Sequence, residues 1–212
     1  MAMWDDQDAP ATFRSLVRIV LLGLGFFALL LSSNGEVLLT WLGGEAYTKA
    51  IYLLPLLCGS MVLSGLLSFT KMGIYKSKRS RLNLAVIFTG LVSSLVSNAL
   101  LVPMIGILGA AVSMVLVQVI MNICAHKLSV RYYDPLIQIG DIIKAFSLLV
   151  MGMAGIYIGI LYKNIMICEF MLFIVPFSYL ILGWFWLLKL EERIQLAGAF
   201  MKVAVWVKKS IP

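Results

Sequence analysis

The stretch 102-VPMIGILGAAVSMV-115 lies in one of the most apolar regions of a very apolar chain, yet it carries a proline, two glycines and a run of small side chains. Apolar segments on both sides of it are long enough to be helices. Pro103 reads as the end of one helix, and Gly106 as the residue that lets the chain turn back tightly. Past the turn the small residues sort at helical spacing, with Gly106 four before Ala110 and Gly109 four before Ser113. In lipid there is little hydrophobic drive between helices, so small residues mark the places where two helices approach and gain contact. The stretch therefore predicts a close helical hairpin with packing residues Gly106, Gly109, Ala110 and Ser113.

Composition names the solvent. The 212 residues are 62% hydrophobic and 13% charged, with mean hydropathy +1.01. Soluble domains are about half apolar and about one quarter charged, so this chain reads as a polytopic all-α membrane protein. A bilayer-crossing helix needs about 20 apolar residues. Six segments qualify, over roughly Val17–Ser33, Ala50–Thr70, Leu82–Pro103, Ile105–Ala125, Ile142–Tyr162 and Ile165–Leu188. The first can extend back through Arg14. The organisation expected is a cytoplasmic linker over 1–16, a six-helix bundle over 17–188 and a tail over 189–212.

Lys and Arg favour the cytoplasmic side of membrane proteins. Here they gather before the first segment, between the second and third, between the fourth and fifth, and after the sixth. Only Lys49 and Lys163 fall on the other face. Both termini are therefore expected inside. The net charge of +7 orients the chain and touches anionic lipid. Nucleic acid is not an expected partner, because no soluble domain presents the charge. The acidic opening "MAMWDDQDAP" is unlike the basic start of a cleaved signal. Asp134-Pro135 reads as the start of a short surface helix. Leu196, Phe200, Val203 and Val207 form the apolar stripe of an interfacial helix in the tail. "NGEVLLTWLGGEAYTKA", after the first span, reads as a semi-polar lip at the outer surface.

Chemistry is sparse. Cys58, Cys124 and Cys168 share no ligand spacing and read as apolar fillers, so no metal or cofactor is expected. No pair of acids, Ser-His-Asp set or phosphate loop occurs, which disfavours an enzyme. Glu169 is the lone acid near a span and the candidate for ion coupling. Gln118 and Asn122 are four apart, with His126 next on the stripe, and Asn98 lies towards the end of the third span. Such amides act either as interhelical glue or as the lining of a wet cavity for polar cargo. Lys71, at the end of the second segment, reads either as a topology and lipid contact or as a partner for an anionic headgroup.

Three pieces together resemble the C-terminal part of the polysaccharide-biosynthesis flippases, the O-antigen and exopolysaccharide exporters of the multidrug/oligosaccharidyl-lipid/polysaccharide superfamily. They are "WLGGEAYTKAIYLLPLL", "SFTKMGIYKSKRSRLNL" and "SNALLVPMIGILGAAVSMVLVQ". Their order and spacing carry the resemblance over roughly residues 15 to 130, and the last two spans fit by hydropathy. The resemblance implies a bacterial inner-membrane protein that moves undecaprenyl-diphosphate-linked oligosaccharide outward by alternating access. It also implies a fold of 12 to 14 helices in two lobes, of which this chain matches the last six. The acidic start is similar to the linker preceding those six. Asn98, Gln118 and Asn122 would then contact sugar or diphosphate, with Lys71 and Lys76 at the inner mouth. The expected partners are membrane lipid, the lipid-linked oligosaccharide, and the missing N-terminal half or a second copy. Two other readings are a non-transporting scaffold subunit of a polysaccharide assembly machine and a small homodimeric six-helix transporter.

Overall fold

The computed structural model describes residues 9–131, 139–161, 165–189 and 192–194. Among these every regular element is helical. In chain order they are α1 (Ala9–Ser33), α2 (Gly35–Gly43), a 3-10 helix (Glu45–Leu53), α3 (Leu54–Thr70), α4 (Met72–Lys76), α5 (Ser80–Ile105), α6 (Ile107–Val130), α7 (Ile139–Leu161) and α8 (Ile165–Trp186). Five stretches are long and apolar enough to cross a membrane: Phe13–Ser33, Ala50–Lys76, Ser80–Ile105, Ile107–Val130 and Gly140–Ile158. The chain is thus a multi-pass membrane protein by length and composition. The sixth expected span corresponds to α8, whose described apolar stretch is the shorter Ile174–Trp186.

The first span does extend back through Arg14, and Arg18 lies well inside α1. The expected lip after α1 is instead helical. Gly35–Gly43 forms α2, and the 3-10 helix follows a break at Gly44, where φ is +76°. Trp41 and Tyr47 in this segment are exposed, as residues of a membrane interface are. The 3-10 helix runs directly into α3, and Pro55 sits in the first turn of α3, where its missing N–H leaves no bond unmade. The Tyr157 hydroxyl on α7 donates to the Tyr52 carbonyl at 2.5 Å and ties this end of the bundle together. The expected surface helix at Asp134 and the amphipathic stripe from Leu196 to Val207 lie outside the described residues.

The α5–α6 hairpin has the expected form with one correction. Pro103 lies inside α5, which runs on to Ile105. A proline this close to a helix end deprives only the last turn of a bond. The reversal belongs to Gly106 alone, at φ +61°, with its N–H bonded to the Val102 carbonyl at 2.9 Å. Gly109 packs so closely on the end of α5 that a β-carbon there would overlap the Leu101 carbonyl group. Ser113, one turn further, is fully buried, and Ala110 is half-buried. Small-residue packing therefore holds the hairpin.

Two apolar cores share one wall. Val17, Leu21, Leu29, Val62, Leu66, Leu148, Leu149 and Tyr179 join α1, α3, α7 and α8. Leu67, Ile74, Val86 and Ala125 join α3, α4, α5 and α6. Adjacent residues on α3, Leu66 and Leu67, feed different cores because successive side chains on a helix point about 100° apart. The outer face of α5 is left uncovered, with Leu84, Phe88, Leu91 and Leu95 all more than half exposed. In water such a stripe drives association, whereas in a bilayer it meets its own kind.

Candidate functional site

Because α6 leans on α3 while α7 is held mainly by α1 and α8, α6 and α7 diverge. Between them and α3 lies a cleft of about 330 Å³. Leu63, Leu66, Val119, Ile123, Ile142 and Phe146 make its wall apolar. Thr70, Asn122, His126 and Lys127 line it too. The polar groups come from the last turn of α3 and the last three turns of α6. The cleft is therefore apolar over nearly all of its wall, and its few polar side chains gather at the end from which the lysines and arginines after α3 and α6 follow. Its volume falls in the range of sites for small molecules, about 300–1,000 Å³.

Asn122 is the best-anchored polar group there. Its Nδ2 donates to the Leu63 carbonyl of α3 at 2.9 Å and to the Gln118 carbonyl of its own helix at 2.9 Å. Its Oδ1 lies 3.0 Å from the Thr70 hydroxyl, which is also 2.8 Å from the Leu66 carbonyl. The single Thr70 proton serves one acceptor at a time. Of the two readings open for this amide, glue and cavity lining, its hydrogen bonds across to α3 are those of interhelical glue, and it also borders the cleft. His126 is half-buried and Lys127 exposed at the cleft rim.

The other sequence candidates are scattered. Gln118 does not line the cleft, and its Oε1 is buried without a hydrogen-bond partner among the described residues. Asn98 donates to the Ser94 carbonyl of its own helix at 2.9 Å, near the opposite end of the bundle. Lys71 is half-buried and Lys76 exposed, and neither borders the cleft; the lysine that does is Lys127. The side chain of Glu169 lies outside the described residues.

Beside the cleft sits a charge network that hydropathy did not reveal. Arg18 is 3% exposed. Its Nε donates to Asp141 Oδ2 at 2.7 Å and its Nη1 to Glu192 Oε1 at 2.8 Å. Ser15 donates to the same Glu192 oxygen at 2.6 Å, and the Lys189 backbone N–H to Oε2 at 3.0 Å. Burial works against the Glu192 charge, but the hydrogen bonds from Ser15 and Lys189 together with Arg18 outweigh it and hold the carboxyl below the usual range. The network clasps α1, the start of α7 and the segment after α8. Asp141 immediately precedes Ile142, so the clasp fixes one flank of the cleft at its polar end. The only signal in the sequence was the presence of acids on the otherwise basic face.

Compared with known proteins, the chain matches no family model, no curated protein and no solved structure.

Proposed function

We propose that this chain is the C-terminal part of a flippase-type exporter, which carries lipid-linked oligosaccharide of the undecaprenyl-diphosphate type across a bacterial inner membrane by alternating access. The observation that supports this best is the apolar cleft with polar side chains at one end. An isoprenoid carrier has an apolar tail and an anionic diphosphate, and the cleft offers an apolar wall ending in Asn122, His126 and Lys127. A volume of about 330 Å³ suits part of such a carrier, the diphosphate and the first isoprene units. The order of the sequence pieces around Gly43, Gly73 and Gly106 supports the same family.

A second copy or an N-terminal half is the expected partner, and the uncovered outer face of α5 offers a surface for it. The scaffold reading shares this surface but needs no occupied cleft.

A photoreactive residue at Val119 tests the reading. In membranes assembling surface polysaccharide, light should join it to radiolabelled lipid-linked oligosaccharide. A photoreactive residue at Ile181, exposed on α8, serves as the control for bulk lipid. Equal yields at both positions, with the protein present at its normal level, would remove the cleft from the transport path and leave the scaffold reading ahead.

A further inference from the structure

A second pocket, of about 300 Å³, lies at the turn between α4 and α5. Tyr75, Lys78, Arg79, Ser80 and Asn83 line it with Ile74, and it shares no lining residue with the cleft. The span containing α3 and α4 ends at Lys76, and the α5 span begins at Ser80. The pocket therefore sits at the edge of two spans, at the depth of lipid headgroups.

Its chemistry is cationic. Lys78 and Arg79 bring two cations and Ser80 a hydroxyl. Lys78 holds φ +53°, a conformation that residues bearing a β-carbon seldom adopt. No side chain caps the first turn of α5, so the partial positive charge at that helix end adds to the field. The site thus gathers two cations, a hydroxyl and a helix N-terminus around one pocket. A phosphate supplies the anion that this set lacks.

We infer that this pocket binds the phosphate of an anionic lipid headgroup, such as that of phosphatidylglycerol. Basic pockets at helix ends commonly hold such headgroups. The same chemistry is present in free glycerol phosphate, and the depth of the pocket favours the lipid.

The test uses the full chain in vesicles of phosphatidylcholine containing phosphatidylglycerol, followed by native mass spectrometry of the lipid retained. Lys78→Asn/Arg79→Gln removes both charges, and asparagine accepts the left-handed turn. Retained phosphatidylglycerol should fall at least about fivefold, the loss of one or more charge-assisted contacts. Lys76→Gln/Arg81→Gln removes the same charge from the same segment outside the pocket and should leave retention unchanged. Displacement of the lipid by added glycerol 3-phosphate would assign the site to the soluble form of the ligand. Equal losses in both double variants would reduce the effect to surface charge and overturn the site, as would full retention in the pocket variant. If the pocket variant loses its helical circular dichroism, Lys78→Asn alone decides instead. It leaves Arg79 and the start of α5 as they are, and unchanged retention there overturns the proposal.

Discussion

Arg18 on α1 and Asp141 at the start of α7 meet at 2.7 Å, 123 residues apart in sequence, and the same guanidinium reaches Glu192 at 2.8 Å. Two carboxylates on one buried arginine make that arginine the dependent element. Removing one partner of a buried ionic group costs about 3–5 kcal/mol, because charge is left without compensation. Arg18→Met should therefore lower the thermal midpoint in detergent by many degrees. Arg18→Met/Asp141→Leu/Glu192→Leu, which removes the whole network, should recover most of the loss. If the single variant unfolds with the parent chain, the network contributes nothing to stability.

Acid should loosen the same clasp. The Glu192 carboxyl is held below its ordinary value, so its folded form binds a proton less readily than its unfolded form. Its contribution to stability is full above the ordinary glutamate pKa, about 4.3. That contribution falls away as the pH drops through the lower folded value. Unfolding in detergent, followed from neutral pH to about pH 3, should steepen over the acid end of that range. Glu192→Gln should be less stable at neutral pH and show a flatter acid limb. Parallel curves for the two proteins would mean that other carboxyls set the acid response.

The hairpin makes a sharper demand on two glycines. A methyl at Gly109 would run into the Leu101 carbonyl, which is backbone and has little room to move. Gly109→Ala should cost about 1–3 kcal/mol as overpacking. Gly106 has open space around its would-be β-carbon but a φ of +61°. Its ψ of −137° lies outside the left-handed helical region that Asn tolerates, so Gly106→Ala and Gly106→Asn should each cost about 1–3 kcal/mol through backbone strain. Reversible unfolding in mixed micelles separates the two causes. Gly106→Ala and Gly106→Asn variants as stable as the parent would point away from the turn conformation.

Hydropathy and glycine placement made much of the fold legible. About 20 apolar residues at a time cannot be placed anywhere but in helices within a bilayer, and the turn at Gly106 follows from its lack of a β-carbon. The Gly35–Gly43 helix was missed because it is short and bounded by glycines and Asn34, which imitate a loop. Pro103 was misplaced because a proline inside the last turn of a helix looks in sequence like one just past it. The cleft was only half legible. Asn122 stood out as an amide in an apolar helix, but its neighbours depend on how far α6 and α7 diverge, which no local pattern records. The Arg18 network was hidden for a related reason. Its members lie 123 and 174 residues apart, and each alone is an ordinary charge near a span end.

Asn122 and Lys127 divide the cleft between structure and ligand, and two substitutions should separate those roles. Asn122 bonds to the Leu63 carbonyl and pairs with Thr70 across the helix interface. Interhelical hydrogen bonds in membranes average about 0.6 kcal/mol and reach about 1.7. Asn122→Leu should therefore cost about 1 kcal/mol by the same reasoning. Combined with Thr70→Val it should cost less than the sum of the two single changes, since the residues share a bond. Lys127 is exposed, and Lys127→Gln should stay within about 0.5 kcal/mol of the parent. In the photocrosslinking assay at Val119 the order should reverse. Lys127→Gln should lower the yield of lipid-linked oligosaccharide adduct severalfold, whereas Asn122→Leu, measured where the protein is fully folded, should lower it less. An unchanged adduct yield in Lys127→Gln would remove that lysine from the headgroup end of the cleft and leave His126 as the one ionisable side chain there.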